Sequence, residues 1–122
     1  MYSERLLDHF RNPRNTGELD PPSLVAEVMN PACGDILRLS VRFLDGRVAE
    51  ARYRCRGCTA AVAAGSVLTE WMLGKTRAEL EVLTASTVAD LLDGLPRESG
   101  HAAALCVDAV RALLASKQSP SL

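Results

Sequence analysis

An α+β fold, a small antiparallel β-sheet packed against several helices, is predicted by three features of the sequence. Leu37, Leu39, Val41 and Phe43 alternate with Arg38, Ser40 and Arg42, and Ala49, Ala51, Tyr53 and Cys55 alternate with Glu50, Arg52, Arg54 and Arg56. That is the period of two half-buried strands, with Gly46 between them as the turn. From Thr59 the alternation stops, and Val62, Val67, Leu68, Trp71 and Met72 fall in a helix-compatible run that Gly74 can end. Near the end of the sequence Cys106, Ala109, Val110, Leu113 and Leu114 recur at helical spacing as an apolar stripe. A helix, then strands, then several helices along one chain is the α+β pattern.

The first element is an amphipathic helix from Tyr2 to Arg11, with Leu6, Leu7 and Phe10 available to pack and Asn12-Pro13 as its stop. A turn-rich stretch through Asn15, Gly17 and Pro21-Pro22 leads to a short strand from Leu24 to Met29. In the hairpin that follows, a two-residue Asp45-Gly46 turn would set inward Val41 against outward Glu50. A three-residue loop, Leu44 to Gly46 with Gly46 left-handed, pairs Phe43 with Arg47 and Val41 with Ala49, and is preferred because the inward faces then match. Continued along the ladder, this register pairs Leu39 with Ala51, Leu37 with Tyr53, and Asp35 with Cys55 at the open end. A helix from Ala60 to Leu73 comes next. Thr76 and Glu79 form a capping box for a short helix through Leu83. Another short helix runs from Thr87 to Leu92 before Gly94-Leu95-Pro96, and the last spans Ala102 to Ala115, leaving Lys117 to Leu122 as a flexible tail.

With 122 residues and a formal charge of -1, the chain is expected to form a single domain over residues 1–122. A chain of this size buries roughly two-thirds of its unfolded surface without disulfide staples. Met1 to Arg11 carries Glu4, Arg5, Asp8 and Arg11, unlike a signal peptide, and no apolar run approaches the roughly 18 residues of a membrane span. A cytoplasmic location is the expectation, with no membrane partner. There the four cysteines read as metal ligands, sulfur chemistry or core residues rather than disulfides. Arg38, Arg42, Arg47, Arg52, Arg54 and Arg56 concentrate basic charge mid-chain, yet no aromatics are interleaved for base stacking, which argues against nucleic acid. A solvated sheet face is the simpler reading of this patch, and a docking surface for an acidic protein the other.

The chemistry concentrates in Cys33-Gly34-Asp35, the pair Cys55 and Cys58, and His101 at the head of the last helix. Thiolates, a carboxylate and an imidazole together suit zinc or iron–sulfur chemistry. Each has a structural alternative. Asp35 could turn the chain after Gly34, His101 could pack at the helix start, and Cys55 has an inward strand phase. Cys106 opens the apolar stripe and reads first as core, since buried cysteine behaves as a small hydrophobe. His9 lies apart on the first helix and reads as a structural or partner-surface residue. No substrate motif or acid/base series supports a turnover enzyme.

Several ordered segments resemble the iron–sulfur cluster assembly scaffold family of the IscU and NifU N-terminal type. They are Tyr2-Ser3-Glu4, Asp8-His9-Phe10-Arg11-Asn12-Pro13-Arg14-Asn15, Pro31-Ala32-Cys33-Gly34-Asp35, Gly57-Cys58, Thr69-Glu70-Trp71 with Gly74-Lys75, and Leu95-Pro96 before His101. The resemblance implies an IscU/NifU-like α+β scaffold, not an enzyme, on which a cysteine desulfurase supplies sulfur and an iron donor supplies iron. A transient 2Fe-2S cluster then passes to recipient proteins; the sequence leaves the oligomeric state open, and a homo-oligomer is compatible with this reading. It also implies Cys33, Asp35, Cys58 and His101 as metal or cluster ligands. The residue after the histidine is ordinarily a third site cysteine, and here it is Ala102. Cys55 and Cys106 are the candidate substitutes. A zinc-bound sulfur acceptor, or a structural zinc-binding interaction module, is the alternative the same four ligands allow. After Leu95-Pro96 the chain reads Arg97-Glu98-Ser99, where a chaperone-recognition segment would carry Pro-Val-Lys.

Overall fold

In the computed structural model, which describes residues 1–116, eight elements follow in order. They are α1 (Glu4–Arg11), β1 (Leu24–Met29), β2 (Ile36–Leu44), β3 (Arg47–Arg56), α2 (Thr59–Met72), α3 (Arg77–Glu81), α4 (Ala85–Leu91) and α5 (Gly100–Ala115). The strands form one antiparallel sheet in the order β1-β2-β3, so the predicted α+β class holds. The expected tail, Lys117 to Leu122, lies outside the described residues.

Capping hydrogen bonds set most helix starts. Ser3 accepts from the Leu6 amide at 3.0 Å, so α1 begins at Glu4 rather than at Tyr2. Thr76 and Glu79 form the expected reciprocal box on α3. Thr84 accepts from the Thr87 amide at 3.2 Å, which starts α4 two residues before Thr87, the expected first residue. A 3-10 turn, Arg97–Ser99, feeds directly into α5 and starts it at Gly100 instead of Ala102.

The hairpin register differs from the expected one. Asp45 and Gly46 both have positive φ, 53° and 79°, the signature of a two-residue type I′ turn, and Leu44 faces Arg47. Phe43 then faces Val48, and the next pair is Arg42 with Glu50, so Ala49 is the extra residue of a β-bulge and is exposed. Val41 consequently pairs with Ala51, Leu39 with Tyr53 and Leu37 with Cys55. The matched inward faces are kept, but by a bulge instead of a third loop residue. Asp35 therefore does not sit opposite Cys55.

Leu37, Leu39, Val41, Ala51 and Tyr53 form the inner face of the sheet, against which α2 and α5 pack, and α1 lies on α2. Helix α2 comes close because its buried face is small: Ala60, Ala63, Ala64 and Gly65. The Tyr53 ring covers Gly65, and its hydroxyl donates to the Val62 carbonyl at 2.8 Å. Leu6 anchors α1, whereas Phe10, expected to pack, is exposed. On the outer face the arginines are largely neutralised within the chain. Arg38 meets Glu18 and Glu27, Arg42 meets Glu50, Arg47 meets Glu79, and Arg54 meets Glu18. This matches a solvated face, on which exposed ion pairs add little to stability.

His9 has a structural role. It is buried, with Nδ1 2.7 Å from Ser66 Oγ and Nε2 3.5 Å from Glu70 Oε1. The carboxylate faces Nε2, so Nε2 carries the proton and Nδ1 accepts from the Ser66 hydroxyl, which itself accepts from the Arg14 amide at 2.9 Å. Burial first, and then the Arg14 guanidinium, hold His9 below its ordinary pKa, with Glu70 opposing. A histidine depressed in the folded state contributes stability above its unfolded pKa of about 6.5, and that stability is lost as pH falls toward the folded value. Urea unfolding on either side of pH ~6.5 should show the parent weakening on the acid side and His9→Gln weakening less. Parallel pH profiles for the two would refute this.

Candidate metal centre

Three segments distant in sequence supply the donors. The first is the loop between β1 and β2. The Asn30 side chain accepts from the Ala32 amide at 2.9 Å, the Gly34 amide donates to the Asn30 carbonyl at 2.7 Å, and Gly34 has a φ of 78°. A left-handed residue closes this turn, which favours glycine there. Cys33 is left exposed at the tip, while Asp35 is turned inward and is only 7% exposed.

Cys58, the second contribution, is the N-cap of α2, and its thiol faces the free amides of the first turn. His101 is in the first turn of α5. Its Nδ1 lies 3.2 Å from the Glu98 carbonyl in the preceding 3-10 turn, so Nδ1 carries the proton and Nε2 is left as the ligand nitrogen. Nε2 lies 3.5 Å from Asp35 Oδ2 and 3.5 Å from Cys58 Sγ. Ligand atoms of Cys33, Asp35 and His101 all fall within 4.8 Å of one another.

The structure thus brings together the four expected ligands, Cys33, Asp35, Cys58 and His101. Burial pushes the Cys58 thiol up; the Ala61 and Ala60 amides pull it down, and Asp35 adds to the rise. A bound cation reverses this balance, because a coordinating thiol loses its proton. Cys58 stands at the N-terminus of α2, whose positive end favours a thiolate beside it, and His101 lies in the first turn of α5.

The two candidate substitute thiols differ. Cys106 is 1% exposed in the core, and burial drives its pKa far above the ordinary range. Cys55 is half-buried on β3, its pKa pushed up to about 11 by burial, then by Asp35 and Cys58. Ala102, after His101, is buried.

Gly57, which the sequence marked only as the neighbour of Cys58, has a specific part in the site. A Cβ on Gly57 would stand 2.7 Å from Asp35 Cγ and 2.9 Å from its Oδ1, although the φ of Gly57 lies outside the left-handed region. Gly57 is needed for space, not for backbone conformation: the Asp35 carboxylate lies where its side chain would be.

Comparison with known proteins places these residues in context. The NifU-like N terminal domain matches residues 1–119. The chain is 40% identical over 111 residues to the iron–sulfur cluster assembly scaffold protein IscU 1 of Archaeoglobus fulgidus, spanning 91% of this chain and 72% of that one. It is 38% identical over 115 residues to IscU of Azotobacter vinelandii (91% and 89% covered) and 36% identical over 122 residues to IscU of Escherichia coli (97% and 94% covered). Among solved structures, a candidate cluster assembly scaffold for the SUF system of Fervidobacterium islandicum aligns with a TM-score of 0.76 at 20% identity, covering 93% of this chain and 96% of that one. The N-terminal part of a NifU-like protein from Brucella abortus gives 0.63 at 24% identity, covering 89% and 76%. These two show the fold alone.

Proposed function

Because the chain belongs to the family of NifU-like N terminal domains, we propose that it is an iron–sulfur cluster assembly scaffold whose cluster is cargo, held between Cys33, Asp35, Cys58 and His101. The observation that carries this reading is the convergence of two thiols, one carboxylate and one imidazole nitrogen on a place that stays open to solvent at Cys33. The donor set fits the cargo. A 2Fe-2S core takes four protein ligands, and mixed thiolate and imidazole ligation is an established variant.

Each residue has a distinct part. Cys33, exposed on its loop, is placed to meet an incoming sulfur donor, and Cys58 holds its thiolate at a helix N-terminus. His101 presents Nε2, with its ring fixed by the Glu98 carbonyl. Asp35 is a hard oxygen ligand in a set of softer ones and is the natural point of release, since iron bound with sulfur prefers thiolate. A scaffold of this kind receives sulfur from a cysteine desulfurase and iron from a donor, and gives the cluster to recipient proteins without turning over a substrate. Thiols kept reduced for this purpose fit the cytoplasm; among the described residues no helix is long and apolar enough to cross a membrane.

The same four donors also suit zinc, which takes nitrogen, sulfur and carboxylate ligands tetrahedrally. The deciding experiment is anaerobic reconstitution with a cysteine desulfurase, cysteine, a dithiol reductant and ferrous iron, followed by measurement of iron, zinc and acid-labile sulfide per chain. Roughly equal iron and sulfide are expected. Retained zinc with negligible sulfide would overturn the scaffold reading in favour of a zinc-bound sulfur acceptor or a structural zinc module.

A further inference from the structure

We infer that Cys55 is a third working thiol of this centre, a way station that takes sulfur from an incoming persulfide at the free edge of β3 and passes it to the neighbouring cluster ligands. This rests on the scaffold reading for its purpose, but on the sheet register for its geometry.

Leu37 pairs with Cys55 and Ile36 with Arg56, so one further step sets Asp35 against Gly57. The close approach of the Asp35 carboxylate to Gly57 fits that continuation. Side chains alternate along a strand, so Cys55 shares a face with Asp35 and Gly57, and is the diagonal neighbour of Asp35 across the ladder. Diagonal positions lie roughly 7–8 Å apart, within reach of side chains. Asp35 in turn is 3.5 Å from the His101 ligand nitrogen. Gly57 between Cys55 and Cys58 puts no side chain in the way.

The solvent side is open as well. At the free edge of β3, Cys55 borders a surface cavity of about 400 Å3 lined also by Thr16, Tyr53 and Val62, with Arg54 at its rim. The Arg54 guanidinium there favours the thiolate that leaves in an exchange. Cys106, the other spare thiol, has neither property: it is 1% exposed and stands one helical turn, roughly 6 Å, beyond Ala102 along α5. Among the described residues, Cys55 alone of the two combines access from solvent with a place beside the cluster ligands.

The chemistry is thiol–persulfide exchange. The Cys55 thiol, protonated at rest because burial raises its pKa, gives its proton to water at the cavity, and the thiolate so formed attacks the outer sulfur of a donor R–S–SH. A bond from Cys55 Sγ to that sulfur forms as the donor's S–S bond breaks, and R–S⁻ leaves with the electron pair. The outer sulfur keeps its proton, and no oxidant or reductant is consumed. Repeating the exchange with Cys58 or Cys33 as attacking thiolate moves the sulfur into the centre and restores Cys55.

The test combines two readouts on the full chain. First, the parent is incubated with a cysteine desulfurase and cysteine, trapped by alkylation at short times, and its cysteines are mapped for an added sulfur atom. Cys55 is expected to carry it. Second, cluster assembly is followed in Cys55→Ser, Cys106→Ser and the double variant Cys55→Ser/Ala102→Cys. Assembly should slow several-fold in the first, match the parent in the second, and recover in the third. Sulfur on Cys55 with no cluster formed would uphold this inference and sink the scaffold reading. A cluster built at the parent rate by Cys55→Ser, with no sulfur found on Cys55, would uphold the scaffold and overturn the inference. The parent mapping decides even if a variant fails to fold.

Discussion

Gly57→Ala is expected to weaken divalent-metal binding by roughly 10–100-fold, as mutation of a residue orienting a metal ligand typically does, without unfolding the chain. Alanine can adopt the Gly57 backbone conformation, since its φ is not left-handed. The new methyl would stand 2.7 Å from Asp35 Cγ and 3.0 Å from its Cβ. A contact with Cβ cannot be relieved by a rotamer change alone, so the carboxylate must leave its place 3.5 Å from His101 Nε2. If Gly57 acts only through Asp35, then Gly57→Ala should reproduce Asp35→Ala, and the double variant should be no weaker than either alone. Zinc competition against a chelating dye, together with the visible spectrum of a cobalt-substituted sample, reads this directly. Parent-like affinity in Gly57→Ala, or additive losses in the double variant, would refute the assignment.

Gly65→Ala should destabilise the fold by about 1–2 kcal/mol, against the usual preference for alanine in a helix. Replacing glycine inside a helix ordinarily gains about 1 kcal/mol, and overpacking a core costs about 1–3 kcal/mol and occasionally more. Here the added Cβ would lie 2.5 Å from two carbons of the Tyr53 ring. That ring is 2% exposed and tied through its hydroxyl to the Val62 carbonyl, so it has no easy retreat. Overpacking wins. The urea midpoint should fall, and in a Tyr53→Leu background the same change should become neutral or stabilising. A higher midpoint for Gly65→Ala in the parent would show that the ring moves aside cheaply.

The parts of the fold written in local chemistry were legible in the sequence: β1, the alternating strands, the Thr76–Glu79 box and the body of α2. The hairpin register was not, for a specific reason. An additional residue beyond a two-residue turn can sit in the loop or in a bulge, and both restore the match of inward faces, so alternation cannot separate them. The Asp45-Gly46 dipeptide was the better guide, since it favours a two-residue type I′ turn. At the site, residue type and order pointed to Cys33, Asp35, Cys58 and His101, which do converge. Gly57 stood beside Cys58 in the resemblance, but its role, like that of the Glu98 carbonyl, could not be read that way. One matters through an atom it lacks beneath a neighbour from another strand, and the other through its backbone.

The donors come from a loop between two strands, at whose tip Cys33 is exposed, from the start of α2 and from the first turn of α5. Whatever binds there ties three separate stretches of chain into a clasp. A ligand that binds only the folded form raises the free energy of unfolding by mass action. The loaded chain is then the stiffer one, and the loop relaxes when the cargo leaves.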